Sequence, residues 1–141
     1  MNCVFWGHRS VTSIAKSELK AEIIKLKSSG ADCFYVGNNG NFDFLVQSVL
    51  CEIEEDGDNI KYEIVLSYIG EKPLCSKIKN TLFPSGQETA LPRYAISKRN
   101  EWLLEQADVM IVYLNNKISN TYKYVRRAEK KGIRIINLAE K

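Results

Sequence analysis

Short apolar runs alternate along this chain with segments in which apolar residues recur every three or four positions. Five runs are rich in β-branched, aromatic and aliphatic residues, and each predicts a strand that is buried on both faces. These runs are Asn2 to Trp6, Cys33 to Val36, Tyr62 to Tyr68, Val109 to Leu114 and Ile133 to Leu138.

Four segments of helical period lie between the predicted strands. The first places Leu19, Ile23 and Leu26 on one face, with Ser13 as its candidate cap and Gly30 as its end. The others are marked by Leu45, Val49 and Ile53, by Trp102, Leu103 and Ala107, and by Tyr122, Val125 and Ala128 before Gly132. Strands and helices in this order predict right-handed crossovers, and hence a Rossmann-like α/β three-layer sandwich with a parallel sheet of about five strands.

The segment from Gly70 to Pro92 interrupts this rhythm, because it holds all three prolines and shows little periodicity. Loops of this length are uncommon in compact domains unless they form a lid or part of a binding surface. We predict a loop, of which Leu74 to Lys79 could form a short helix. No repeat, linker or low-complexity tract divides the chain, so we expect residues 1–141 to form a single domain.

Composition places the chain among ordinary globular proteins, since 45% of its 141 residues are hydrophobic and 26% are charged. The apolar runs are far shorter than the roughly 20 residues of a membrane-spanning helix. A strand-like run starts at once, without a basic stretch or a cleavage site, so we expect neither export nor membrane insertion. The net charge of +3 favours an anionic ligand without indicating nucleic acid.

The cysteines are Cys3, Cys33, Cys51 and Cys75, and no two of them form a C-x-x-C pair. This spacing predicts neither a zinc site nor a redox centre. The first three lie in apolar segments, where a free thiol behaves as a small buried hydrophobic group. We therefore expect a cytoplasmic protein with reduced thiols, no metal and no cofactor.

The first candidate ligand-binding loop is Gly7-His8-Arg9-Ser10, because ligands of open parallel sheets bind beyond the carboxyl ends of the strands. A glycine permits close approach of a ligand, Arg9 can bind phosphate oxygens, and the next helix presents free amides. His8 is the only histidine and thus the only side chain that ordinarily titrates near neutrality. It is a candidate catalytic residue, although hydrogen bonding is the simpler role for a single loop histidine.

The second candidate loop follows the second strand and runs into another helix start. Its candidate ligand-binding residues are Gly37, Asn38, Asn39, Gly40, Phe42 and Asp43. Asp43 could contact the ligand, act in catalysis, or only offset the helix dipole. The G-x-x-G spacing is also typical of a tight turn, and the G-x-G-x-x-G dinucleotide fingerprint is absent from it.

A third polar loop follows the fourth predicted strand at the same edge of the sheet. It comprises Asn115, Asn116, Lys117, Ser119, Asn120 and Thr121. We include Asn115, Asn116 and Thr121 among the candidate ligand-binding residues. A solvated turn would have the same composition.

Several stretches carry a family resemblance when they are taken together. They are Phe5-Trp6-Gly7-His8-Arg9, then Phe34 to Asp43 with its G-x-x-G-x-F-D loop, then Ala95 to Trp102 and Ala107-Asp108-Val109. Over nearly its whole length the chain resembles a family of small bacterial proteins in the SLOG superfamily of Rossmann-like nucleotide-ligand domains. The resemblance implies a nucleotide-like ligand and a homodimer.

That superfamily includes cytokinin-activating phosphoribohydrolases, DNA-processing proteins of transformation, and sensors of cyclic ADP-ribose-type signals in antiphage defence. Arg99, nine positions before Asp108, is similar to an arginine of the phosphoribohydrolases, and we add Arg99 and the adjacent Asn100 to the candidate site. The phosphoribohydrolase loop P-G-G-x-G-T-x-x-E is altered here: Thr121 is kept, every glycine is missing, and Tyr124 replaces the glutamate.

The altered loop favours binding without turnover, because the glutamate is thought to stabilise the oxocarbenium-like state of N-glycosidic cleavage. Our first hypothesis is a sensor or sequestering protein for a nucleotide-derived molecule, for example one of the ADP-ribose type. The second is an N-glycosidase or phosphoribohydrolase in which Arg99 acts with Asp43 or with a carboxylate between Glu71 and Glu88.

A third hypothesis is single-stranded DNA binding, which requires a basic groove with stacking aromatic residues. Near the last helix the chain offers Lys123, Tyr124, Arg126, Arg127, Lys130 and Lys131. A solvated helix face explains this cluster more simply, so we do not expect a nucleic-acid partner.

Overall fold

The computed structural model describes residues 1–7, 16–114 and 120–140 of the chain. Within these ranges, six parallel strands form one sheet in the order β4-β3-β2-β1-β5-β6. The strands are β1 (Asn2–Gly7), β2 (Cys33–Val36), β3 (Tyr62–Val65), β4 (Thr81–Leu82), β5 (Val109–Tyr113) and β6 (Arg134–Asn137). The helices are α1 (Lys16–Ser28), α2 (Asn41–Glu55), α3 (Ala95–Gln106) and α4 (Asn120–Lys130). The predicted Rossmann-like α/β fold is therefore confirmed.

Strand β1 lies at the centre of the sheet and divides the apolar core into two layers. Its Val4 is in register with Tyr35 of β2 and with Met110 of β5. Successive side chains of a strand point to opposite faces, so Cys3 and Phe5 pack under α1 and α2, whereas Val4 and Trp6 pack under α3 and α4. These two layers and the sheet between them make the three-layer sandwich.

The helices follow the predicted periodicity. Leu19, Ile23 and Leu26 are the buried residues of α1, which ends before Gly30 as predicted. In the other helices Val49 and Ile53 are buried, as are Leu103, Val125 and Ala128. The predicted cap Ser13 lies outside the described residues.

The segment from Gly70 to Pro92 differs from the prediction in two ways. It contains β4, which pairs with β3 through Ile64↔Thr81 and makes a sixth strand. Two residues are too few to show an alternating pattern. The suggested helix from Leu74 to Lys79 is wrong, since none of these residues is helical and the first four form a bend and a turn. The amides of Leu74 and Cys75 instead bond to side chains of the loop after β2 and of α2.

Strand β3 is shorter than predicted and ends at Val65. The amides of Ser67 and Tyr68 leave the sheet and donate to Glu71 Oε1, at 2.9 and 3.1 Å. The Glu71 side chain thus binds backbone amides that the apolar pattern had assigned to the strand.

The four cysteines are free thiols, and three of them are buried as the sequence predicts. Burial raises the pKa of the Cys3, Cys33 and Cys51 thiols above the ordinary value. Among the described helices, none has both the length and the apolar character needed to cross a membrane.

Candidate functional site

The order of the strands selects one edge of the sheet for a ligand. The chain builds outward from β1 to β4, then returns to place β5 on the other side of β1. In open α/β sheets, a ligand crevice forms at the carboxyl ends of the strands where the direction of building reverses. The loops that follow β1 and β5 hold the predicted residues His8, Arg9, Ser10, Asn115 and Asn116, all of which lie outside the described residues.

A cavity of about 590 Å³ opens at this edge, a volume suited to a small molecule. Its floor is formed by the ends of β1 and β2 and the start of α2, and its walls by α3 and α4. The described lining comprises Phe5, Trp6, Gly7, Gly37, Asn39, Asp43, Arg93, Ile96, Ser97, Arg99, Asn100, Leu103, Asn120, Thr121, Lys123, Tyr124 and Arg127. The cavity thus brings together seven of the predicted site residues: Gly7, Gly37, Asn39, Asp43, Arg99, Asn100 and Thr121.

Position 7 requires glycine because of a close contact inside the core. A Cβ at this position would lie 2.3 Å from Cγ of Phe42, so any side chain would collide with that ring. Phe42 is only 1% exposed and belongs to the core layer beneath α1 and α2. It supports the cavity floor from below and is not part of the described lining.

Asn38 holds the neighbouring segment in place instead of lining the cavity. Its amide nitrogen donates to Glu71 Oε2 at 2.6 Å and to the Lys72 carbonyl at 2.8 Å. Its amide oxygen accepts from Gln47 Nε2 at 2.9 Å and from the Leu74 amide at 2.8 Å. These four bonds use the full capacity of the side chain, so Asn38 acts as a structural anchor.

Gly40, the remaining predicted residue of this loop, is the N-cap of α2 with a φ of 96°. Glycine adopts this left-handed region without steric cost. The turn directs the first residues of α2, including Asp43, toward the cavity. Gly40 itself is outside the described lining.

The inner end of the cavity holds a buried carboxylate and a buried guanidinium. Asp43 Oδ2 accepts the Asn39 amide at 2.9 Å. Burial raises the pKa of Asp43 to about 6, although the Arg99 charge and the Asn39 amide partly oppose this shift. Asp43 is thus close to half ionised under mildly acidic conditions, whereas an ordinary aspartate would be fully charged.

Arg99 is 3% exposed and reaches the cavity from α3. Its Nε and Nη2 donate to Asn100 Oδ1 at 3.3 and 3.2 Å, and its Nη1 donates to the Val65 carbonyl at 3.4 Å. Burial lowers its pKa, while the charges of Asp43 and Glu71 act in the opposite direction. Arg99 and Asp43 influence each other through space and form no direct ion pair.

Gly37 lies between these two charged groups. A Cβ there would be 2.9 Å from Asp43 Oδ2 and 3.3 Å from Arg99 Cζ. A side chain at position 37 would therefore crowd both charged groups. We call the part of the cavity that these three residues line the gap beside Gly37. The sequence singled out all three residues, but only the tertiary structure reveals that they share one space.

The outer part of the cavity is cationic. Arg93, Lys123 and Arg127 are exposed lining residues, so the described lining carries four cationic side chains, including Arg99, against the single carboxylate of Asp43. The first turn of α4 also lies here, with Thr121 Oγ1 donating to the Gly7 carbonyl at 3.4 Å. A helix start and several cations together favour an anionic group.

Arg127 belongs to a stack of planar groups that crosses the α4 wall. It forms a two-pronged ion pair with Glu101 at 2.7 and 2.8 Å. Its guanidinium also lies 5.6 Å from the Tyr124 ring, which stacks on Trp6 with ring centres 4.9 Å apart. Tyr124 thus places an aromatic ring on the α4 wall, in contact with Trp6 and Arg127.

Most of the cavity-lining residues on α3 and α4 were not predicted from the sequence. The cationic residues of α4 were instead interpreted as a solvated helix face. A usable signal was present in the spacing of three and four residues. On α3 the lining recurs at Ile96, Asn100 and Leu103, and on α4 at Asn120, Tyr124 and Arg127. This spacing places residues on one helix face, but it does not indicate whether that face meets a cavity or open solvent.

Among the described residues, no group of three histidine, cysteine or acidic side chains is placed to hold a metal ion. Neither a protein-family model nor a curated protein matches this chain.

Proposed function

We propose that this protein binds a nucleotide-derived small molecule and does not turn it over. Compounds of the ADP-ribose type are one example of such a ligand, and the protein would act as a sensor or a sequestering protein. The observation that carries the proposal is the cavity at the carboxyl ends of β1 and β2, which joins a cationic mouth to the buried Asp43 and Arg99. Such a cavity suits a ligand with an anionic end and a polar neutral end, and a nucleotide has both. Membership of the SLOG superfamily is part of the same proposal.

Two features support binding rather than hydrolysis. Tyr124 stacks on Trp6 and has no carboxylate to offer a developing positive charge. Glu71, a possible substitute for the missing glutamate, is occupied by the amides of Ser67 and Tyr68 and by Asn38. Glu88 is exposed and is not part of the described lining.

An N-glycosidase remains the second candidate, because Asp43 lines the cavity beside Arg99. A carboxyl group with a pKa of about 6 can give or take a proton near neutral pH. This candidate predicts release of a free base from a nucleoside monophosphate, and Asp43→Asn would abolish that release.

The test begins with denaturing mass spectrometry of freshly purified protein, which reveals any co-purified nucleotide. Thermal shift then follows against AMP, ADP, ADP-ribose, cyclic ADP-ribose and NAD, with chromatography of each mixture for released base. We expect a rise in melting temperature with an intact ligand. If nothing co-purifies and no compound raises the melting temperature, the proposal is wrong, whereas release of base would favour the hydrolase.

A matched pair of variants localises the binding. Lys123 and Lys130 are both exposed lysines of α4, but only Lys123 belongs to the lining. Lys123→Gln should weaken nucleotide binding roughly threefold to tenfold, because it removes one charge from the cavity mouth. Lys130→Gln should leave binding unchanged. Equal effects of the two would place the ligand elsewhere.

A further inference from the structure

The inner end of the cavity differs chemically from its mouth, and this difference constrains how a ligand lies in it. Gly37, Asp43 and Arg99 meet there, and Asp43 and Arg99 are both buried. The mouth has three exposed cations and the start of α4. The ligand therefore meets an acceptor and a donor together at the inner end, whereas the described lining of the mouth has cations and no carboxylate.

The hydrogen-bonding capacity of the inner end is incompletely used. A guanidinium has five N–H donors, and the described partners Asn100 and Val65 take three of those of Arg99. On Asp43, the bond from the Asn39 amide engages Oδ2 alone. With respect to the described residues, donors of Arg99 and acceptor capacity of Asp43 thus remain for a ligand group in the gap beside Gly37.

We infer that this gap binds a hydroxyl group of the ligand, and specifically a ribose hydroxyl, which donates to Asp43 and accepts from Arg99. A hydroxyl is a neutral group whose one oxygen both donates and accepts. An ionised phosphate oxygen only accepts, and the Asp43 carboxylate would repel it. The inference rests on the proposed function and narrows its ligand class to ribonucleotides.

The same reasoning fixes the direction of the ligand. With the ribose hydroxyls at Asp43, the phosphates extend toward Arg93, Lys123 and Arg127, where water remains to solvate the charges. The opposite orientation would bring a phosphate against a buried carboxylate and keep it away from the cations at the mouth. Charge complementarity therefore selects the first orientation.

Gly37 is required by this arrangement, because a Cβ would lie within 3.4 Å of Asp43 and of both the Cζ and Nη1 of Arg99. Its φ lies outside the left-handed region, so alanine fits the backbone. Gly37→Ala thus crowds the Asp43 carboxylate and the Arg99 guanidinium at the wall of the gap without removing either charged group. This variant should impair binding of a hydroxyl in the gap but leave binding of a phosphate at the mouth intact.

The test is calorimetric titration of the whole protein with AMP, 2′-deoxy-AMP and 2′,3′-dideoxy-AMP, with free adenine and inorganic phosphate as further probes. We expect the dideoxy compound to bind roughly 10- to 100-fold more weakly than AMP, since it leaves buried charged groups without a partner. In Gly37→Ala this difference should nearly disappear. In the isosteric Asp43→Asn it should shrink to a few-fold.

The outcomes distinguish the inference from the proposed function. If AMP and its dideoxy analogue bind the wild type with equal affinity, the hydroxyl inference is wrong and nucleotide binding stands. Tight binding of free adenine without discrimination among the sugars would place a base edge in the gap and also overturn the inference. If none of these compounds binds, nor any member of the wider nucleotide panel, the inference and the proposed function both fail. Circular dichroism verifies the fold of each variant, and Asp43→Asn still tests the inference if Gly37→Ala does not fold.

Discussion

Substitution of Asp43 by asparagine should remove a loss of stability that the wild type undergoes as the pH rises through about 6, and it should impair ligand binding. The folded-state pKa of Asp43 is about 6, above the ordinary value of 3.8 that holds in the unfolded chain. Between these values the folded protein retains a proton that the unfolded chain has lost. The stability contributed by this proton is complete below about pH 3.8 and is lost as the pH rises through about 6.

The shift corresponds to about 3 kcal/mol across the whole window, and to about 2 kcal/mol between roughly pH 4.5 and pH 7.5. Asparagine cannot ionise, so the stability of Asp43→Asn lacks the pH-dependent contribution of Asp43. The contributions of most other titratable groups are the same in both proteins and cancel when the two are compared. The stability of the variant relative to the wild type should therefore rise by about 2 kcal/mol over that range.

Urea unfolding followed by circular dichroism at several pH values measures the difference. Asp58→Asn, an exposed aspartate beyond the end of α2, is the matched control for loss of a carboxylate. A relative stability of Asp43→Asn that stays constant with pH, or falls as pH rises, would refute the account of Asp43 as a carboxyl whose ionisation is opposed by burial.

Three further substitutions test the contacts that shape the cavity. Gly7→Ala should lower the free energy of unfolding by about 2 kcal/mol or more, because its Cβ would meet the Phe42 ring, and urea unfolding measures the loss. Asn38→Ala should cost about 2 to 3 kcal/mol, since it removes four hydrogen bonds that hold the segment after Glu71, and limited proteolysis should then cut between residues 71 and 78. Glu101→Gln should strengthen nucleotide binding roughly twofold to fivefold by calorimetry, because it releases Arg127 from an exposed ion pair.

Exposed residues provide the controls for these substitutions. Asn59→Ala should leave both stability and the proteolytic pattern unchanged, and Glu105→Gln, on the same helix as Glu101, should leave binding unchanged. A Gly7→Ala variant as stable as the wild type would show that the Phe42 ring can move aside. Weaker binding by Glu101→Gln would mean that the ion pair positions Arg127 for the ligand instead of competing with it.

The sequence was sufficient to predict the elements whose periodicity depends on burial alone. Strands β1, β2 and β5 and the apolar faces of α1 and α4 lie where the pattern indicates, because a central parallel strand is covered on both faces and a helix on one. Strand β4 was missed and β3 was predicted too long. Strand β4 depends on its pairing with β3, which is distant in sequence, and β3 ends early because the nearby Glu71 side chain binds the amides of Ser67 and Tyr68. An apolar pattern records neither interaction.

The candidate site was predicted in its residue types more than in its arrangement. Gly37 and Asp43 stood out as a glycine and a carboxylate near a helix start, and Arg99 through a family resemblance. The same reasoning ranked Asn38 and Phe42 with them, although one anchors a neighbouring segment and the other supports the floor. Amide and aromatic side chains serve structure and ligand binding equally well, so composition cannot separate the two roles.

The inner end of the cavity is distinguished by two buried charged side chains that do not pair with each other, a feature that only the three-dimensional structure reveals. Buried charges are normally paired at contact distance, because desolvation is otherwise uncompensated. Asp43 and Arg99 are both buried and adjacent to the same glycine, yet they form no direct ion pair. A longer acid at position 43 could reach Arg99, but the residue there is an aspartate, and a side chain at position 37 would only crowd both groups. An arrangement that sacrifices stability at a cavity wall is expected where a ligand supplies the missing partner, and this is the physical reason to seek the ligand between these two side chains.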